Sequence, residues 1–85
     1  MLTLQMSYFA AVKDRSNTTN DEAEVALPVT VNKIKEAVAA KHPSVKDIME
    51  TTIVSVDGDF IFQDDEPLDV TSKSQVAIIP PISGG

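Results

Sequence analysis

The chain has 85 residues, 42% of them hydrophobic and 24% charged, which is the length and composition of one small globular domain. Its formal net charge of −6 argues against nucleic acid as a partner, because phosphate binding requires clustered lysine and arginine. The absence of cysteine excludes disulfides, zinc–thiolate sites and a cysteine nucleophile, and it is typical of a reducing compartment.

No apolar stretch reaches the length of a membrane span, and the first residues lack the basic start of a signal peptide. We therefore expect a cytosolic protein without a membrane partner.

The first third of the chain predicts a β-hairpin. Apolar residues alternate from Leu2 to Tyr8, which is typical of a strand with one buried face. The alternation fails at residues 9–12, where we expect a bend, and residues 13–22 are polar enough to predict a loop. Residues 23–27 alternate again and predict a second strand, paired with the first and ended by Pro28.

The middle of the chain predicts one long helix. Thr30 is a suitable N-cap, and three aliphatic residues then recur at helical spacing: Val31, Ile34 and Val38. Pro43 ends the helix. Ser44 and Asp47 resemble a capping box, which predicts one further helical turn.

The last third predicts a second hairpin and a final strand. Asp57-Gly58 lies between two apolar runs and suits a turn in which both central residues have positive φ. Leu68 and Val70 are expected beside the core, and a loop over residues 71–74 leads to a strand from Gln75 to Ile79.

The final strand reads as apolar on both faces, which predicts a central position, parallel to the first strand. The predicted architecture is therefore an α+β fold of the β-grasp, or ubiquitin-like, type. Its mixed sheet has about five strands and carries one main helix on one face. We expect residues 1–79 to form this domain and residues 80–85 to form a flexible Gly-Gly tail.

The tail has the chemistry of a presented terminus. Pro80 and Pro81 stop the strand because neither can donate a backbone hydrogen bond. Gly84 and Gly85 have no side chain, so they can enter a narrow channel and expose an unhindered carboxylate. The competing interpretation is an accidental glycine-rich end.

The body of the domain predicts no catalytic site, no metal site and no tightly bound cofactor. His42 is the only histidine and is expected to be exposed at a helix end. The acidic residues between positions 57 and 66 do not follow a calcium-loop spacing, and glycine occurs only at positions 58, 84 and 85. The remaining reactive group is the Gly85 carboxylate.

Three segments carry a resemblance to a known family. They are Tyr8-Phe9-Ala10 with a basic residue following, Thr30-Val31 with Ile34, and the ending Pro-Pro-Ile-Ser-Gly-Gly over residues 80–85. The chain resembles the MoaD family, the small sulfur-carrier subunits of molybdopterin synthase, which are ubiquitin-like β-grasp proteins. It departs from the family at residues 72–75, where many members have Gly-Asp, and at Asp57, where an asparagine is common.

The resemblance implies a mechanism. A ubiquitin-activating-type adenylyltransferase and sulfurtransferase uses ATP to adenylate Gly85, and sulfur from a persulfide then replaces the adenylate to leave a thiocarboxylate. The thiocarboxylate donates sulfur to cyclic pyranopterin monophosphate, which yields the dithiolene of molybdopterin. This chain would be the non-catalytic, sulfur-donating subunit, with the acid–base groups on the large subunit.

The resemblance also assigns roles to residues. Gly85 would be the acyl-adenylate and thiocarboxylate, while the residues threaded into the large subunit would be Pro80, Pro81, Ile82, Ser83 and Gly84. We expect the large subunit to cover an apolar patch of Phe9, Ile79 and Ile82, in a heterotetramer of two small and two large subunits.

Three other functions remain open at this point. The chain could be a protein modifier that joins Gly85 to a lysine, or a sulfur carrier for thiamine thiazole synthesis or tRNA thiolation. It could also be an interaction domain whose tail has no role. Pro80-Pro81 favours molybdopterin synthase over the other carriers.

Overall fold

The computed structural model describes residues 1–80, which form a mixed sheet with helices on one face. The strands are β1 (Leu2–Tyr8), β2 (Asn20–Val25), β3 (Ile53–Val56), β4 (Asp59–Ile61) and β5 (Gln75–Ile79). The helices are α1 (Ala10–Ser16), α2 (Val31–Lys41) and α3 (Lys46–Met49), and a 3-10 turn at Pro43–Val45 precedes α3.

The strand order β2-β1-β5-β3-β4 confirms the predicted β-grasp architecture. The final strand lies at the centre and runs parallel to β1, with Tyr8 opposite Ile78. The other neighbouring pairs are antiparallel. Our reason for the central position was only half right, because Ala77 and Ile79 are partly exposed while the alternate residues of β5 are buried.

One continuous core joins the sheet to the helices. The buried face of β1 presents Leu4, Met6 and Tyr8, and α2 contributes the three aliphatic residues of its predicted stripe. Burying each such side chain contributes about 1.5–3 kcal/mol. The predicted N-cap of α2 is confirmed, since the Thr30 hydroxyl accepts a hydrogen bond from the Lys33 backbone N–H at 3.2 Å.

The loop predicted for residues 13–22 is wrong, because its first part belongs to α1. This short helix buries only Val12, so it has no apolar stripe that a sequence pattern could reveal. Contacts to the α3 region hold it instead. Arg15 makes an ion pair with Asp47 at 2.7 Å, and the Ser44 hydroxyl donates to the Arg15 carbonyl at 2.9 Å.

The second strand begins earlier than predicted, at Asn20, and ends at Val25 rather than at residue 27. Its alternation continues back from the buried Ala23 to Asp21, which lies opposite Met6 of β1. A carboxylate at an inward position broke the apolar pattern, so this part of the strand was missed.

Asp21 is satisfied by a convergent set of donors. Its two oxygens accept hydrogen bonds from the Lys41 ammonium at 2.7 Å and the Tyr8 hydroxyl at 3.0 Å, and they lie 2.7 Å from His42 Nε2. Burial alone would raise the pKa of Asp21, but these hydrogen bonds outweigh it and hold the pKa well below its usual range. Burial and the bond to Asp21 also raise the pKa of the Tyr8 hydroxyl.

Two smaller predictions had different outcomes. The Asp57-Gly58 hairpin is confirmed, with φ of 50° and 88° at the two turn residues. The turn from Lys46 to Met49 is also present, but the capping box is wrong: Val45 is its N-cap, and the Ser44 hydroxyl donates its hydrogen bond to the Arg15 carbonyl of α1.

Within residues 1–80, no helix combines the length and the apolar composition that a membrane span requires.

We expect Asp21→Asn to lower the free energy of unfolding by about 1–3 kcal/mol near neutral pH, because three donors lose a charged acceptor. Since the folded-state pKa of Asp21 is depressed, this contribution is present above the unfolded-state pKa. It is lost as the pH falls below about 4. Urea unfolding of both proteins across this range should show a difference that shrinks towards acid.

Asp47→Asn is the matched control, because the Arg15–Asp47 pair is exposed and such pairs contribute little. Its effect should be much smaller than that of Asp21→Asn. If Asp21→Asn lowers the free energy of unfolding by the same amount at neutral and acid pH, the Asp21 charge does not stabilise the fold as we expect.

Candidate functional site at the end of strand β5

The candidate site is the edge of the sheet where β5 ends. Ile79 lies opposite Ile53 of β3, and the preceding residue, Ile78, lies opposite Tyr8 of β1. The next residue, Pro80, is buried against the domain. The chain therefore leaves the sheet from a strand held by hydrogen bonds on both sides, which is the most constrained position in a sheet of this kind.

Phe9 borders this exit from the β1 side. It follows Tyr8 directly, as Ile79 follows Ile78, so both residues lie just beyond the last β1–β5 residue pair. Ala10 adopts a left-handed φ of 50°, and the Phe9 carbonyl accepts the first hydrogen bond of α1 from Val12 at 3.1 Å. This abrupt strand-to-helix turn leaves the Phe9 side chain 47% exposed.

A second group of exposed apolar residues lies on the open face, by which we mean the face of the sheet away from the helices. Phe60 of β4 lies opposite Ser55 and is 56% exposed. Its ring contacts that of Phe62 edge to face, with centroids 6.4 Å apart, and Phe62 is 75% exposed. Sequence reasoning missed these two aromatics. Their alternation with Ile61, which faces the core, was the signal that could have found them.

The structure brings together some of the predicted site residues. Phe9 and Ile79 both lie at the exit of β5, and Pro80 follows at its end. A shared partner interface of Phe9 and Ile79 stays a prediction. The other predicted tail residues lie outside the described part of the chain: Pro81, Ile82, Ser83, Gly84 and Gly85.

His42 lies apart from this site and is not the exposed residue that the sequence predicted. Its side chain is mostly buried, packs edge-on against the Tyr8 ring and contacts Asp21. These contacts join α2 to the β1–β2 hairpin, which is a structural task. Among residues 1–80, no group of three or more potential metal ligands is arranged to hold an ion.

The family model described as "ThiS family" matches residues 6–85, a range that includes the Gly-Gly pair. Two curated relatives align along almost their whole length, and both are named "Molybdopterin synthase sulfur carrier subunit". The Homo sapiens protein is 23% identical over 82 residues, covering 96% of this chain and 93% of the relative. The Chlamydomonas reinhardtii protein is 26% identical over 85 residues, covering 99% of this chain and 100% of the relative.

Solved structures share the fold at low identity. Small archaeal modifier protein 1 from Haloferax volcanii superposes with a TM-score of 0.80 at 16% identity, covering 96% of this chain and all of the other. A chain from the complex of subunits 1 and 2 of the molybdopterin-converting factor of Helicobacter pylori gives 0.65 at 14% identity, covering 99% and 100%. These two likenesses establish the β-grasp fold.

We expect Phe62→Ser to change the free energy of unfolding by less than about 0.5 kcal/mol, because the exposed ring contributes little to the core. Ile34→Ala, which truncates a fully buried side chain of α2, should cost about 2–5 kcal/mol. Thermal or urea unfolding of both variants measures this contrast. A large decrease in the free energy of unfolding of Phe62→Ser would mean that the Phe62 ring stabilises the fold despite its exposure.

Proposed function

The chain belongs to the ThiS family, and from this premise we propose that it is the sulfur carrier subunit of a molybdopterin synthase. Gly85 is adenylated and converted to a thiocarboxylate, which gives its sulfur to cyclic pyranopterin monophosphate to form the dithiolene of molybdopterin. The observation that carries the proposal is the nearly full-length match to two relatives that bear this name.

The geometry of the domain supports a carrier with its chemistry at the tail. β5 ends between two strands, and Pro80 is held against the domain. A fixed starting point reduces the conformational freedom that the tail must lose on entering another protein's active site. The chain has no cysteine, so transferable sulfur is carried in an added form, and Gly85 is the group that accepts it.

The steps follow from the weakness of a carboxylate as an acyl donor. An activating enzyme of the ubiquitin-activating type uses ATP, and the Gly85 carboxylate displaces pyrophosphate to form an acyl-adenylate. The terminal sulfur of a persulfide on the activating partner then displaces AMP to form an acyl disulfide. A partner thiol attacks the outer sulfur of this S–S bond, which forms a new disulfide on the partner and releases the thiocarboxylate. This chain contributes the acyl group, and the partners contribute the nucleotide pocket and the acid–base groups.

We propose that the large subunit of the synthase covers the exit of β5. Exposed aromatic residues are characteristic anchors of protein interfaces. Phe9 is such a residue, and it lies with Ile79 at the exit of β5. We propose that Ile82 also contacts the large subunit, and that two small subunits assemble with two large ones. The complex of two converting-factor subunits from Helicobacter pylori supports a partner of this kind.

The direct test is the intact mass of the protein after incubation with an activating enzyme, ATP and a sulfur source. Replacement of one carboxylate oxygen by sulfur should add about 16 Da. The control is a variant that lacks Gly84 and Gly85, which should fold normally, gain no mass and transfer no sulfur. A truncated protein with full transfer activity would overturn the assignment of Gly85.

The same incubation separates the alternative functions. High-mass adducts on lysine would identify a protein modifier. A thiocarboxylate that supplies tRNA thiolation or thiazole synthesis but not cyclic pyranopterin monophosphate would identify another sulfur carrier.

Phe9→Ser should weaken binding to the large subunit by about tenfold, or ~1.4 kcal/mol, because it removes an exposed aromatic anchor. Leu27→Ser is the matched control. Leu27 is 63% exposed, but it follows the end of β2, and Val25 of that strand pairs with Leu2, at the other end of β1 from Phe9. Isothermal titration calorimetry measures the affinity of each variant for the large subunit. Equal affinities of the Phe9→Ser and Leu27→Ser proteins would rule out the proposed interface. Ile82→Asp extends the test to the tail.

A further inference from the structure

A pocket of about 260 Å³ lies at the far end of the sheet from the exit of β5. Four aliphatic side chains line it: Val56, Ile61, Leu68 and Val70. Three acidic residues also line it: Asp57, Asp59 and Asp69. The pocket thus combines an apolar lining with concentrated negative charge.

The position of the pocket follows from the strand register. Val56 and Asp59 are paired at the turn of the β3–β4 hairpin, and the backbone N–H of Asp57 donates to the Gln75 carbonyl at the start of β5. Ile79, at the other end of β5, pairs with Ile53. A molecule in this pocket would therefore leave the tail free.

The walls of the pocket are held in place. The Leu68 backbone N–H donates to the Val29 carbonyl at 2.7 Å, which fixes the loop beside the start of α2. On the hairpin side, one Asp57 carboxylate oxygen accepts from the Gln75 backbone N–H at 2.8 Å. The lining is therefore organised before any partner arrives, which lowers the entropic cost of binding.

The chain does not neutralise this pocket itself. Within residues 1–80, the ion pairs involve only Asp21 and Asp47 among the carboxylates. An organic cation with an apolar portion complements both the aliphatic residues of the lining and its negative charge.

We propose that this pocket receives a lysine or arginine side chain from a partner protein. The aliphatic stem of such a residue packs along the apolar walls while its charged head meets the carboxylates. Pockets for whole small molecules occupy roughly 300–1,000 Å³, so this smaller volume suits a single side chain. The inference does not rest on the proposed function, because no lining residue belongs to the tail or to the exit of β5.

The test is a titration of isotope-labelled protein with blocked tripeptides, followed by NMR of backbone amides and methyl groups. The probes are acetyl-Gly-Arg-Gly-amide and acetyl-Gly-Lys-Gly-amide, with the neutral citrulline tripeptide as a control. Both basic peptides should give saturable shifts at about millimolar concentration. The shifts should include the methyl groups of Ile61 and Leu68, and citrulline should give none.

Asp59→Asn combined with Asp69→Asn should weaken binding of the arginine peptide about five- to tenfold, because two carboxylates are lost. The matched control is Asp65→Asn combined with Glu66→Gln, which removes the same charge from exposed residues outside the pocket lining. The affinity of this control variant for the arginine peptide should match that of the unmodified protein.

Three results would overturn the proposal. The first is equal loss of affinity for the arginine peptide in the two double variants, and the second is saturable binding of the citrulline peptide. The third is a set of shifts in the backbone amides of the acidic residues without shifts in the pocket methyl groups. The first and third would mean that the peptides respond only to net charge. Because the experiment needs neither ATP nor a sulfur source, its outcome is separate from that of the sulfur-carrier test.

Discussion

The parallel pairing of β1 with β5 is the constraint on which the rest of this fold depends. Parallel neighbours cannot be joined by a tight turn, so the intervening chain must cross the sheet and cover it. Here α2 makes that crossing, and the β3–β4 hairpin then completes the far side of the sheet. The same pairing determines where the chain leaves the domain, because Ile78 is held opposite Tyr8 and the tail follows two residues later. Architecture and exit point are therefore consequences of one strand pair.

The polar network around Asp21 has a structural role. Asp21 takes an inward position and is tolerated because Lys41, His42 and Tyr8 converge on its carboxylate. A buried carboxylate without such donors would be strongly destabilising. The network ties α2 to the first hairpin. The two partner surfaces that we propose lie at opposite ends of β5. The exit is apolar and aromatic, whereas the hairpin pocket is apolar and acidic.

Sequence patterns predicted the elements whose burial is periodic. β1, α2 and β5 each place aliphatic residues at regular spacing, and the Asp57-Gly58 turn has a local conformational requirement. The patterns failed where long-range contacts replaced periodic burial. α1 buries a single residue and is held by Arg15 and Ser44, whose partners are about thirty positions away along the chain. The beginning of β2 was missed for the same kind of reason, since Asp21 is compensated from another element.

The sequence by itself determined the chain order of the five strands and α2, the central last strand and the Gly-Gly ending, because these depend on local propensity, hydrophobic period and the chemistry of single residues. It also carried the resemblance to the sulfur-carrier family. Only the tertiary structure decided which face of the sheet stays open and that Phe9 and Ile79 both lie at the exit of β5. It alone revealed the exposed pair Phe60 and Phe62, and it gathered acidic and aliphatic residues from two segments into one pocket. Exposure and proximity depend on how distant segments pack, and local patterns do not contain that information.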